Sequence, residues 1–141
     1  MYARAAYSLR EGVKPQAELS FVAIRDGAII GSVRQTLIQV GKKPAVLLGP
    51  LGVLAIHNSN GVGKALMRTA IRAAREKSGD YGSEIILLVG DLAYYHRFGF
   101  ERVADGKIVM PRPVAPGRIL ALELCEGALE HITGVAGLLY R

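Results

Sequence analysis

Residues 19–24 (Leu-Ser-Phe-Val-Ala-Ile) form a short apolar run, and Asp26-Gly27 separates it from a longer β-type stretch, 28–40. An Asp-Gly pair between two such runs predicts a hairpin. Residues 41–44 (Gly-Lys-Lys-Pro) read as a second turn. The almost wholly apolar run 45–56 that follows predicts a strand buried on both faces. Gly49, Pro50 and Gly52 lie inside it. Proline cannot donate to a ladder and glycine marks bulges, so this central strand is expected to be bent. Local conflicts of this kind concentrate at functional sites.

A polar, glycine-containing turn spans 57–63. From Lys64 to Lys77 the small and apolar positions Ala65, Leu66, Thr69, Ala70, Ala73 and Ala74 recur with a helical period, while Arg68, Arg72 and Arg75 occupy the other face. Ser78-Gly79-Asp80 is the expected end of that helix. A short buried strand is predicted over 84–89. A short helix follows over 92–98, with Asp91 as its N-cap and Gly99 as its stop. Strands are expected over 100–104 and 118–124 and weakly around 135–139, with a proline-rich loop at 110–116. Strand, helix, strand in the middle of the chain implies a parallel pair joined by a right-handed crossover. The hairpins around it imply antiparallel neighbours. The whole chain, 1–141, is therefore expected to form one α/β (α+β) domain on a mixed, mostly antiparallel sheet.

Composition narrows the function. Of 141 residues, 50% are apolar and 21% charged, which excludes a disordered chain. No apolar stretch approaches the ~18 residues of a membrane span, and residues 1–10 have no signal-peptide core, so no membrane role is expected. The single cysteine, Cys125, excludes a disulfide framework and fits a reducing cytoplasm. In the run Ala-Leu-Glu-Leu-Cys it is expected to be a small core residue. His57, His96 and His131 show no ligand spacing, so no metal is expected. The net charge of +6 favours anionic partners. The basic residues are scattered and aromatics do not interleave with them, which weighs against nucleic acid and leaves a phosphate-rich cosubstrate.

The segment from Ala45 to Lys64 runs an apolar strand through a glycine turn into a helix. The first turn of a helix leaves backbone N–H groups unpaired, and with the helix dipole they form an anion site. Gly61 and Gly63 would let a phosphate approach the backbone closely, and Lys64 adds a positive charge. A P-loop requires Gly-x-x-x-x-Gly-Lys-Ser/Thr, but Asn58 and Ala65 occupy its first and last positions. A dinucleotide fingerprint requires a third glycine where Leu66 stands. A turn that merely joins strand to helix is the plain alternative.

Residues 45–64, together with Gly90-Asp91-Leu92-Ala93-Tyr94-Tyr95-His96-Arg97-Phe98-Gly99-Phe100, resemble the GNAT superfamily of acyl-CoA-dependent N-acetyltransferases. The chain looks closest to a small bacterial branch with a Leu-Gly-Pro-Leu strand and a Tyr-Tyr-x-Arg-Phe-Gly-Phe signature. At the turn the family pattern is Gln/Arg-x-x-Gly-x-Gly/Ala; Asn58 departs from it, and Asn60 replaces a commonly basic residue. The resemblance also implies a strand and helix ahead of Tyr7, which this chain is expected to lack.

What the resemblance implies is a strand around Leu51 to Leu54 that splays from the strand at 84–89. The pantetheine arm of acetyl-CoA would lie in the gap, against Leu51 and Val53. The pyrophosphate would lie on Asn58, Ser59, Asn60, Gly61, Val62, Gly63 and Lys64. An amine of a small molecule or peptide would attack the thioester directly. A backbone N–H near Val53 would stabilise the oxyanion, and Tyr95 would be the general acid, with Tyr94 as the fallback. Water, His57 and Glu84 stand as candidate bases, and His96 is expected to face solvent. Residues 12–16 and 111–116 would shape the acceptor site. A homodimer is expected to cover the free sheet edge. The alternative is a non-catalytic acyl-CoA-binding protein of the same fold.

Overall fold

The Asp26-Gly27 pair turns the chain between β1 (Phe21–Arg25) and β2 (Ala28–Val40) with φ of 51° and 78°. Two successive positive φ values match the twist of a tight hairpin. The structure, a computed structural model, describes residues 16–58 and 60–138. The expected contact at Ser59, the loop residues 12–15 and the expected lack of elements ahead of Tyr7 lie outside the described residues.

β2 pairs antiparallel with β3 (Lys43–Val53). β3 pairs parallel with β4 (Ile85–Val89) through the crossover helix α1 (Val62–Tyr81). β4 pairs antiparallel with β7 (Ile119–Glu123), which carries the two-residue β5 (Glu101–Arg102) on its other edge. The far half of β2 holds β8 (Gly134–Leu138), and β8 holds β6 (Ile108–Val109). The sheet order is β5-β7-β4-β3-β2-β8-β6, with β1 on β2. The short helix α2 (Leu92–Tyr95) continues as a 3-10 turn to Phe98. This is the mixed, mostly antiparallel sheet with a central parallel pair that the sequence predicts, and β8 with β6 adds a second parallel pair at its edge. No helix among the described residues is long and apolar enough to cross a membrane.

Alternation along the strands builds two cores. Val46 and Leu48 of β3, with Ile86 and Leu88 of β4, face Leu66, Met67, Ala70 and Ala74 of α1. Ala45 and Leu47, with Ile85 and Leu87, face the other way, onto Ile108, Ile132 and Ala136. The continuous apolar run around residue 45 thus serves two faces at once. Close packing of α1 on β2 requires a missing side chain: a Cβ at Gly31 would meet Leu66 Cδ1 at 3.0 Å and Val62 Cγ1 at 3.2 Å.

Several expectations are corrected. β3 ends at Val53, and burial on both faces is confined to residues 45–48; Leu54 and Ile56 are exposed. α1 runs past Gly79 to Tyr81, where Gly82 takes the left-handed conformation and donates to Ser78 O at 2.8 Å. Cys125 is exposed rather than in the core. β7 stops at Glu123, and the N–H groups of Leu124 and Cys125 both reach Glu84 O, so the chain turns outward there.

One buried polar group ties the layers together. Gln35 of β2 is fully buried, and its Nε2 donates to Leu19 O at 2.6 Å and Ala70 O at 3.0 Å. Replacing it with Met leaves both carbonyls in the core without that donor. Gln35→Met is expected to lower unfolding stability by about 1–3 kcal/mol, the cost of unsatisfied buried polar groups. Urea unfolding checks this; an unchanged midpoint would mean the two bonds contribute nothing net.

Candidate functional site

β3 and β4 are in register only at Val46↔Ile86 and Leu47↔Leu87. Both continue, to Val53 and to Val89, without further pairing to each other. On its other edge β3 stays with β2 as far as Gly31↔Val53. Gly49 (φ 133°) and Pro50 fall at the register shift between Val33 and Gln35. The missing N–H of proline therefore sits where the ladder is already broken.

The direction of the free groups follows from ladder geometry. Leu54 N–H donates to Ile30 O at 2.8 Å, which makes the next pair, Gly31↔Val53, a non-hydrogen-bonded one. Backbone groups alternate along a strand, so the N–H groups of Val53 and Leu51 point away from β2. That is the edge on which β4 has parted from β3. The bend anticipated from Gly49-Pro50 and Gly52 thus leaves two strand residues with donors turned into open space.

The strand leads through a 3-10 turn (Ala55–His57) into α1. Gly61, the N-cap, has φ 76° and no side-chain capping bond is made. Ala65 N–H to Gly61 O is the first bond of the helix, so the N–H groups of Val62, Gly63 and Lys64 have no partner within it. No acid lies in the first turn. The helix end is therefore electropositive and open.

A cleft of about 460 Å³ joins the parted strands to this helix end, lined by Leu51, Val53, Asn58, Gly61, Gly63, Lys64, Tyr94 and Arg97. The structure brings together most of the residues expected to hold acetyl-CoA. Val62 turns inward against β2, and Asn60 lies in the turn without lining the cleft. Tyr94 and Arg97 were not singled out for it. A Cβ at Gly63 would lie 3.1 Å from the Tyr94 hydroxyl, so Tyr94 stands over the first turn of α1. The Arg97 guanidinium lies 4.8 Å from the Tyr94 ring centroid, and its Nε donates to Tyr94 O. Their spacing of three, one helical turn, was the signal available in the sequence.

Tyr95 is placed differently. Asp91 caps α2 by accepting from Ala93 N–H, and the two tyrosine rings of that helix stand at right angles, with centroids 4.9 Å apart. Tyr95 lies against Gly90, where a Cβ would come within 2.6 Å of its ring, and against Phe100. It packs beside the cleft and is not among its lining residues. Burial raises its phenol pKa above the ordinary 10, the neighbouring Tyr94 adds to the rise, and Arg118 opposes it. Of the candidate bases, Glu84 precedes β4, at the end remote from the cleft. His57 is half-buried, with Nδ1 shielded and without a partner among the described residues. His96 is exposed, as expected.

The Acetyltransferase (GNAT) family is matched over residues 2–100. An uncharacterized N-acetyltransferase of Escherichia coli, YjhQ, is 32% identical over 104 residues, which cover 71% of this chain and 55% of that protein. The chain thus spans about half the length of the curated relative it matches. The GNAT family N-acetyltransferase YhbS of Escherichia coli, solved in complex with CoA, superposes with a TM-score of 0.77 at 26% identity, covering 98% of this chain and 75% of that one. A GNAT family acetyltransferase from Brucella melitensis, solved with acetyl-CoA, gives 0.57 at 29% identity, over 84% and 73% of the two chains. The parted strands, the glycine turn and the Tyr94-Tyr95 helix all fall inside the matched residues. On that match over most of its length, the chain belongs to the Acetyltransferase (GNAT) family.

Proposed function

We propose that the chain transfers an acetyl group from acetyl-CoA to a primary amine of a small molecule or peptide by direct attack. The observation that carries this reading is the free edge of β3 running into the uncapped end of α1. The donors of Leu51 and Val53 suit an extended chain bearing amides, such as pantetheine. The N–H groups of Val62, Gly63 and Lys64, with the Lys64 ammonium, suit a pyrophosphate. Asn58 and Asn60 are neutral, so the cationic contribution falls to Lys64 and to Arg97. The complexes with CoA and acetyl-CoA known for the YhbS and Brucella proteins support the same ligand.

In this reading Val53 N–H faces the oxyanion that forms as a neutral amine adds to the thioester. Tyr95 gives its proton to the departing thiolate, the proton that the amine nitrogen sheds passes to water, and the phenolate regains a proton from solvent. The Tyr95 phenol stays protonated at neutral pH, the state a proton donor requires. The same reading assigns the chain to a small bacterial, cytoplasmic branch, on the strength of Leu48-Gly49-Pro50-Leu51 and of residues 94–100, Tyr-Tyr-His-Arg-Phe-Gly-Phe. Self-association as a homodimer belongs to the same reading. Among the described residues β1 pairs on one side only, and it exposes Val22 and Ile24.

Thermal unfolding with acetyl-CoA, ATP and NAD tests the binding step. A hundredfold excess of acetyl-CoA over its Kd is expected to add about 2.7 kcal/mol of stability, with no comparable shift from the others. Tyr94→Phe is expected to weaken that binding about tenfold, because its hydroxyl sits on the first turn of α1, where a hydrogen bond to a charged ligand contributes about 1.5–3 kcal/mol. Among the described residues no carboxylate lines the cleft, and this favours a second reading, a non-catalytic acyl-CoA binder. Thiol release across an amine panel separates the two: binding without turnover on any amine would establish the second.

A further inference from the structure

Gly90 and Arg118 stand opposite each other where β4 and β7 end their ladder. The register Val89↔Ile119 continues to this pair, and Gly90 N–H donates to Arg118 O at 2.9 Å. Two residues back, Leu88 and Leu120 belong to the core under α1. Side chains alternate along a strand, so Gly90 and Arg118 continue that same face. Gly90 brings no side chain to it, and the Tyr95 ring takes the space: a Cβ at Gly90 would meet Tyr95 Cε2 at 2.6 Å. Cross-strand partners on one face have Cβ atoms about 5 Å apart. The Arg118 side chain therefore starts beside the ring edge next to the Tyr95 hydroxyl.

Arg118 is half-buried, and its Nε is shielded without a partner. Among the described residues no ion pair includes it; Asp105 is held by Arg102, and Asp91 caps α2. Its structural ties are made by the backbone, where its N–H donates to Ala115 O and its carbonyl accepts from Gly90. The guanidinium is left as a permanent, uncompensated positive charge beside the tyrosine. Around the same ring Tyr94 is the titratable neighbour on α2, while Gly90 of β4 and Phe100 do not titrate. Lys64 and Arg97 stand on the Tyr94 side, in the cleft. Burial and Tyr94 disfavour a phenolate at Tyr95, and Arg118 favours it.

We propose that Arg118 is a positioning residue for acetyl transfer, whose guanidinium stabilises the phenolate that Tyr95 carries between giving up its proton and regaining one. The inference rests on the acetyl-transfer reading above, with Tyr95 as donor, and deepens it. The O–H bond of Tyr95 breaks, the proton goes to the departing sulfur, and the oxygen keeps the electron pair. Negative charge thus develops on Tyr95 during the step, in a half-buried place where a fixed cation needs no rearrangement to meet it. Arg118 itself gives up no proton.

Turnover and tyrosine titration test this in Arg118→Gln and Arg118→Lys, each made also in a Tyr95→Phe background. Arg118→Gln is expected to lower kcat about tenfold and to leave the Kd for acetyl-CoA within twofold. Arg118→Lys keeps the charge and is expected to restore most of kcat. With Tyr95→Phe already present, Arg118→Gln should cost less than twofold more, because the group it acts through is gone. The ultraviolet absorbance of tyrosinate, taken as the difference between chains with and without the Tyr95 hydroxyl, should show Tyr95 titrating at higher pH in Arg118→Gln. Should glutamine disturb packing, Arg118→Met keeps the apolar stem and is expected to show the same loss. An unchanged kcat in Arg118→Gln overturns the proposal, as does an unmoved Tyr95 titration. A full tenfold loss in the Tyr95→Phe background, or an Arg118→Lys no better than Arg118→Gln, shows a structural role and overturns it too. A folded wild type that binds acetyl-CoA but acetylates no amine would instead sink the transfer reading on which this one rests.

Discussion

Tyr95→Phe is expected to lower kcat for acetyl transfer by about a hundredfold or more, the range a positioned proton donor contributes, while the Kd for acetyl-CoA changes little. The hydroxyl is the only group removed, and the ring that fills the space over Gly90 and against Phe100 stays. Tyr94→Phe makes the paired control. Tyr94 lines the cleft at the end of α1, so its loss should act on binding and leave kcat nearly intact. If Tyr94→Phe abolishes turnover and Tyr95→Phe does not, the cleft-lining tyrosine is the donor and the assignment is reversed.

The pH dependence follows from the same burial. Desolvation, helped by Tyr94 and opposed by Arg118, lifts the Tyr95 pKa above 10. The protonated donor therefore persists through neutral and mildly alkaline solution, and any loss of turnover from its ionisation falls above pH 10. Stability carries the matching sign. The unfolded chain, with an ordinary tyrosine pKa of about 10, releases this proton before the folded one does. The contribution of neutral Tyr95 to stability is thus full below about pH 10 and is lost as pH rises beyond it. In Tyr95→Phe this alkaline loss should be smaller; an identical alkaline unfolding profile would count against the burial effect.

Much of this site was legible in the chain because it breaks local rules. A proline and two glycines inside an apolar strand have no structural advantage there. They mark the place where β3 leaves β4 and keeps β2. Gly61 and Gly63 before a helical period mark the uncapped helix end. What was not legible depended on partners distant in sequence. α1 passes Gly79 because Tyr81 packs into the core with Leu19, and Gly82 supplies the left-handed cap instead. β5 and β6 have two residues each, too few for any periodicity to register. Cys125 follows an alternating apolar run whose strand ends one residue earlier than the pattern suggests. Arg97 acquires its place only when α2 docks beside α1.

Gly63→Val is expected to abolish most of the stabilisation by acetyl-CoA while leaving the free protein folded. A Cβ at Gly63 already approaches the Tyr94 hydroxyl to 3.1 Å and Val53 Cγ2 to 3.8 Å. Two further methyl groups would fill the space between the first turn of α1 and the strand residue whose N–H opens on the cleft. If Kd rises a hundredfold, the ligand concentration that gave about 2.7 kcal/mol gives about 0.4 kcal/mol. The apo fold should tolerate the change, because a branched residue replaces glycine in a helix, where glycine is itself unfavourable. Gly61→Ala is the complementary variant. Nothing lies within 4 Å of a Cβ at Gly61, but its φ of 76° strains any side chain. That variant should lose about 1–2 kcal/mol of apo stability and keep most of its acetyl-CoA shift. The two glycines thus separate the two demands on the turn, conformation at Gly61 and room at Gly63. An undiminished acetyl-CoA shift in Gly63→Val would place the anion elsewhere than on the first turn of α1, and the site would have to be sought away from this cleft.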